Sequence, residues 1–202
     1  MINKSLKEFS EITSSKEPVP GGGGVSSYVG SLAASLSGMV TSLTIGKPKY
    51  AEYENELIDI AKEVDVIRKL LLDGINKDAE AFYPLSKAYA IQKEDPTREE
   101  KLEACLKEAA NPPFMVLKLA TRIIELDERL GEIGSKLAIS DAATSAMLAY
   151  GTLYGSYVNI VVNTRLMKNK EYANKLEKDA NILLEEYAPR AKKCYENVLA
   201  RL

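Results

Sequence analysis

The chain of 202 residues has no histidine, no tryptophan, two cysteines and three phenylalanines. Without histidine there is no imidazole general base, no serine-histidine-aspartate triad and no histidine-bearing zinc cluster. The two cysteines, Cys105 and Cys194, are far apart and lack an activating context. They are expected to be buried or incidental thiols, and no metal site is expected. An excess of one charge is missing too: 27 Lys and Arg face 29 Asp and Glu, a net charge of −2 with a pI near 5.5. That balance leaves no basic footprint for nucleic acid. The opening MINKSLKEFSEI lacks the apolar core of a secretory leader, so a cytoplasmic protein is expected. Alternating strand patterns, internal repeats and low-complexity linkers are also absent, which leaves helices.

Long greasy runs are scarce, but two long uncharged ones are present. From Pro18 to Gly46, and again from Ala142 to Thr164, no residue carries a charge, in a chain that is 28% charged. Both are long enough to cross a bilayer, yet they are rich in Ser, Thr, Tyr, Gly and Ala and lack flanking basic clusters. No membrane span is expected; two helices buried all round inside a bundle fit better. The first run opens Pro18-Val-Pro-Gly-Gly-Gly-Gly24. Proline and glycine exclude a helix there, whereas Leu32, Leu36, Met39, Val40 and Leu43 predict one from Val25 to about Ile45. Gly30, Ala34 and Gly38 recur every fourth residue and shave one face for close helix packing.

The remaining pattern is helical as well. Leu6, Phe9 and Ile12 predict a short helix over 3–14, and Leu57, Ile60, Val64, Ile67, Leu71 and Ile75 a long one over 51–92, bent near Gly74 and Pro84. Thr97 and Glu100 read as a capping box. Asn111-Pro112-Pro113 is expected to interrupt the next helix, which resumes to about Leu130. Ala142–Leu166 and Glu171–Leu202 complete the set, the last with a bend at Pro189. The expected architecture is all-α, an up-and-down helical bundle of one domain spanning 1–202, with two buried central helices. Two charge-free helices exceed what one monomeric bundle conceals, so a homodimer is expected.

With histidine absent, proton transfer falls to carboxylates, lysine and tyrosine. The informative charges are those at the edges of apolar runs. Ser140-Asp141 directly precedes the second run, where serine can cap the helix and the aspartate can face a site. Asp78 stands inside an apolar stripe with Ile75, Ala79, Phe82 and Leu85. Lys47 and Lys49 follow the first charge-free helix, suited to its C-terminal dipole or to an anion. Asn159 and Asn163 lie four apart on the second helix, as inter-helix glue or as ligands. The glycine loop fits neither the Walker nor the dinucleotide fingerprint, but its free amides before a helix suit a carboxylate.

In this order the stretches Pro18–Gly24, Leu43-Thr-Ile-Gly-Lys-Pro-Lys-Tyr50, Asp78-Ala-Glu-Ala-Phe82, Ser140-Asp141 and Asn159-Ile-Val-Val-Asn163 resemble the cyclodeaminase/cyclohydrolase family. The resemblance covers about residues 3–190. It implies a homodimer acting on a tetrahydrofolate derivative, with no tightly bound cofactor. It points to Asp141, Asp78 and Lys47 as catalytic residues. Gly21, Gly22, Gly23, Gly24, Lys49, Tyr50, Phe82, Ser140, Asn159 and Asn163 would hold substrate. The reaction expected is hydrolysis of 5,10-methenyltetrahydrofolate to 10-formyltetrahydrofolate. The alternatives are formiminotetrahydrofolate cyclodeaminase chemistry, which releases ammonia, and a non-catalytic helical dimer that binds a folate.

Overall fold

The structure is a computed structural model describing residues 1–202. It has six helices: α1 (Leu6–Thr13), α2 (Gly22–Ser42), α3 (Glu54–Tyr89), α4 (Arg98–Ile133), α5 (Ile139–Thr164) and α6 (Lys170–Leu199), with a 3-10 turn at Pro48–Tyr53. No strand is present. Helices α2, α4 and α6 run one way and α3 and α5 the other, so successive elements pack antiparallel, and the all-α up-and-down expectation holds. Small residues set the closeness of α2 to its neighbours. The Ser27 hydroxyl donates to the Leu71 carbonyl at 2.5 Å across Gly74, where any side chain would collide with it. On the other flank Ser26 lies against Gly155, and Gly30 admits both Leu71 and Thr152. Gly74 therefore serves close approach, and α3 is one continuous helix with Pro84 inside it.

The apolar core is supplied chiefly by α3 and α4, where Leu57, Leu71, Leu117, Ile123, Ile124 and Leu130 are fully enclosed, joined by Leu153 and Ile160 of α5. Truncating one such leucine to alanine costs about 2–5 kcal/mol. Bidentate ion pairs tie α4 to its neighbours at half-exposed positions: Arg122 with Glu63, Arg129 with Glu56, Arg190 with Glu128. Partial exposure limits each to roughly 1 kcal/mol or less.

Three expectations are corrected. Helix α4 passes through Pro112 and Pro113 without interruption. Each proline deprives the carbonyl four residues earlier of a donor, and the one that Pro113 frees, on Ala109, is taken by the Asn163 side-chain amide at 3.2 Å. The box at Thr97 does not form; Asp95 instead accepts from both the Thr97 amide and hydroxyl, while a complete capping box closes α1 through Ser5 and Glu8. Finally, the charge-free helices are not buried all round within one chain. Helix α5 packs on α2, α4 and α6, and α2 on α3, α4 and α5. Each keeps one face uncovered: Met39 is 48% exposed and Val158 60%. No helix is long and apolar enough to cross a membrane.

Candidate active site

Helix α2 starts on glycines where its backbone meets α3 and α5 closely, and at Gly23 no side chain fits. Gly21 caps it in extended conformation with no side-chain cap, leaving the amides of Gly22, Gly23 and Gly24 without intrahelical partners. A methyl group on Gly23 would stand 2.7 Å from Asp78 Cγ, and one on Gly22 would stand 3.1 Å from Asn159 Nδ2. Asp78 of α3 and Asn159 of α5 thus converge on the backbone of the α2 N-terminus, the end where a helix favours negative charge. The Gly24 amide faces the Asp78 carboxylate closely enough to favour its charged form.

Between these elements lies a cavity of about 340 Å³, lined by the loop from Pro18 to Gly23 without Pro20, by Asp78, Phe82, Leu85 and Tyr89 of α3, by Ala109 and Pro113 of α4, and by Asn159, Val162 and Asn163 of α5. Asp78 is half-buried, and loss of hydration pushes its carboxyl above the usual carboxylate range, the Gly24 amide drawing it back in part. Such a group can hold or release a proton nearer neutrality than a surface aspartate can. The two asparagines are fixed from behind. Asn159 Nδ2 donates to the Gly155 carbonyl at 2.7 Å, and Asn163 Nδ2 to the Asn159 carbonyl at 2.9 Å as well as to Ala109. Phe82 and Tyr89 offer flat apolar walls. The lining holds one carboxylate and no lysine or arginine.

Of the residues expected at the site, Gly21, Gly22, Gly23, Asp78, Phe82, Asn159 and Asn163 line this cavity, with Gly24 adjacent. Lys47, Lys49, Tyr50, Ser140 and Asp141 do not. They gather at the opposite end of α2 and α5, about 27 Å away along α5, the rise of the 18 residues from Asp141 to Asn159. There the Lys47 ammonium donates to the Ser135 hydroxyl at 3.0 Å, and the Lys136 amide to the Tyr50 hydroxyl at 3.1 Å. That hydrogen bond, with help from Ser135, Lys49 and Lys47, lowers the Tyr50 phenol. Gly46, at φ 78°, makes the turn that no side chain would accept readily. Lys49 is exposed, 5.7 Å from the Tyr50 ring centre. Helix α5 begins at Ile139, so Ser140 and Asp141 sit in its first turn and neither caps it. Within one chain Asp78 and Asp141 are not partners.

Sequence reasoning missed Tyr89, Pro113 and Val162 as cavity walls, since isolated apolar residues carry no motif. It also missed Asp127. This aspartate is fully buried among α2, α4 and α5, accepts from Ser37 at 2.6 Å and leaves its second oxygen unpaired. Burial holds its carboxyl well above the ordinary range against the pull of the Ser145 and Ser37 hydroxyls. A larger groove of about 930 Å³ lies between α3 and α4, with Leu70 and Met115 in its wall and exposed Lys77 and Glu108 on its rim. It gathers none of the residues expected at the site.

The family model described as formiminotransferase-cyclodeaminase matches residues 5–182. A methenyltetrahydrofolate cyclohydrolase of Methylorubrum extorquens is 31% identical over 99% of this chain and 98% of its own length. The mouse formimidoyltransferase-cyclodeaminase is 25% identical over 95% of this chain, which spans 36% of that larger protein. The crystal structure of a formiminotetrahydrofolate cyclodeaminase from Thermotoga maritima superposes with a TM-score of 0.84 at 32% identity, covering 97% of this chain and 94% of that one.

Proposed function

Because the chain belongs to the formiminotransferase-cyclodeaminase family, we propose that it hydrolyses 5,10-methenyltetrahydrofolate to 10-formyltetrahydrofolate. The observation that carries this reading is the Asp78 carboxylate, drawn partly out of water against the bare glycine amides of the α2 N-terminus. The substrate carbon is part of an amidinium-like cation and is electrophilic without a metal. A carboxylate beside it stabilises the cation, orients a water and takes its proton as the carbon–oxygen bond forms. Breakdown then requires a proton on the departing ring nitrogen, which the same carboxyl, now protonated, can return. Phe82 and Tyr89 supply flat surfaces for the pterin, and Asn159 a donor and an acceptor for its edges. The same reading makes the protein a cytoplasmic homodimer with no tightly bound cofactor. Lys47 and Asp141 would complete its catalytic set, and Lys49 would suit the glutamate carboxylates of the folate.

The cyclodeaminase reaction is the second reading, favoured by the name of the Thermotoga structure. It expels ammonia from a formimino group through the same ring and also needs an acid near the leaving nitrogen. The deciding experiment follows loss of the near-ultraviolet absorbance of 5,10-methenyltetrahydrofolate in a non-nucleophilic buffer at neutral pH. Acceleration over the uncatalysed rate supports cyclohydrolase. No acceleration, with ammonia released from 5-formiminotetrahydrofolate, assigns the cyclodeaminase reaction instead. Tight folate binding without either reaction would leave a non-catalytic binder.

A further inference from the structure

The groove of about 930 Å³ between α3 and α4 takes no part in the chemistry above, yet it falls within the size range of small-molecule sites. The ion pairs Glu56–Arg129 and Glu63–Arg122 set the register of these two antiparallel helices, seven residues on one matching seven on the other. Carried further, that register puts Leu70 level with Met115. It puts Glu80 level with Cys105, three residues or about 4.5 Å from Glu108. The groove therefore has two unlike ends, about 15 Å apart, the rise of the ten residues from Leu70 to Glu80. Leu70, Met115 and Leu119 line one end, and Glu80, Glu100 and Glu108 the other.

The acidic end offers hydrogen-bond acceptors that lack donors. Pro84 takes the helical donor from the Glu80 carbonyl, and Pro112 takes it from the Glu108 carbonyl. All four residues line the groove, so both breaks in the backbone ladder open onto it. Asn163 replaces the donor that Pro113 removes at Ala109, but no side chain replaces these two. The charges are unbalanced in the same sense. Lys77 is held by Asp73 at 2.8 Å, and Lys107 pairs with Glu103 at 3.8 Å and lies over the Tyr172 ring. Glu80, Glu100 and Glu108 form no ion pair, and Glu108 meets only the Asn111 amide, at 3.4 Å. No three acids stand close enough to share one metal ion. Unpaired acceptors and negative charge at one end of an apolar slot call for a cationic donor.

We propose that this groove binds an organic cation with an apolar body, an alkyl or aryl amine. Its ammonium donates to the freed carbonyls of Glu80 and Glu108, and its tail lies along Leu70, Met115 and Leu119. An ammonium carries three donors and no acceptor, which suits a cluster made only of acceptors. The site is separate from the Asp78 cavity, although α4 walls both: of its adjacent prolines, Pro112 lines the groove and Pro113 the cavity. The proposal goes beyond the folate reading and does not depend on it.

Cys105 supplies the readout. It lies in the groove, level with the freed carbonyls and half-buried, whereas Cys194 is buried and its thiol is pushed up to about 12. N-ethylmaleimide at neutral pH therefore labels Cys105 first, and the labelling rate reports occupancy. The probe is octylamine, compared with octanoate and octanol, which share its chain. Octylamine is expected to slow Cys105 labelling saturably, while the other two at the same concentrations leave the rate unchanged. Pro84→Ala with Pro112→Ala returns both backbone donors, so the helices are kept or strengthened. In that protein the octylamine concentration for half protection should rise about tenfold, the weight of one hydrogen bond to a charged group. Glu80→Gln with Glu108→Gln keeps the shape and should shift it in the same direction. Equal protection by octanol would make the groove an unselective apolar slot, and preference for octanoate would reverse the sign of its ligand. Slowing that grows with protein concentration alone would make a second copy the occupant. Each of these overturns the proposal, as does protection that either replacement leaves undiminished, or no protection at all.

Discussion

Two aspartates behave differently because of what surrounds them. Asp78 faces a cavity and an amide; Asp127 faces hydroxyls in a closed core. For Asp78→Asn we expect a fold-intact protein whose rate falls by about 10²–10⁴, the usual yield of a positioned proton-transfer group. Gly23→Ala pushes a methyl into the same carboxylate and is expected to cost about 1–3 kcal/mol by overpacking, read as a lower midpoint in urea. Asp127 has the sign of a buried acid. Its folded pKa lies above the unfolded one, so both states hold the proton in strong acid and the group then costs nothing. Above about pH 4 the unfolded chain releases its proton and gains on the native state, until the native carboxyl ionises too. Asp127→Asn keeps an oxygen for the Ser37 hydroxyl without that loss. At neutral pH it should melt about 2–4 °C higher, the shift that roughly 1 kcal/mol produces in a chain of this size, converging with wild type in acid. An unchanged or lower neutral melting temperature would contradict this.

At the scale of elements, α4 shows where local rules stop. Two adjacent prolines are a sound local reason to end a helix. The helix continues because the missing donor at Ala109 is replaced from α5, by a side chain 54 positions away. No local window contains that compensation. Asn163→Ala should therefore lower stability by about 1–3 kcal/mol through an unpaired buried carbonyl, visible as faster amide exchange around residue 113. What was legible was whatever repeats along the chain: the helical periods of α3, α5 and α6, the glycine seat of α2, and Asp78 inside an apolar stripe. The α2 stripe was visible as apolar spacing, but that it faces outward could be learned only once α3 and α5 had claimed the other side. The start of α5 was placed three residues late because Ser140 resembles a cap, whereas Ile139 and Ala138 are fully buried and take the chain into the helix earlier.

At the scale of the molecule, the residues expected at one site fall at two ends of one chain. An up-and-down bundle of long helices sends alternate connections to opposite ends, so the glycine loop with Asp78 and the Lys47–Asp141 group cannot meet within a single copy. Leu32→Glu together with Met39→Glu places charge on the uncovered face of α2. This pair should leave helicity intact while shifting sedimentation to the monomer and abolishing turnover. Full activity from that monomer would mean that one chain suffices.

The most direct test of the account is the pH dependence of 5,10-methenyltetrahydrofolate hydrolysis by the wild type and Asp78→Asn, corrected for the uncatalysed reaction. The account predicts a wild-type rate that falls on the acid side with an apparent pKa above the ordinary aspartate range, and a variant that has lost both the acceleration and that titration. An Asp78→Asn protein with the wild-type rate and pH profile would contradict it.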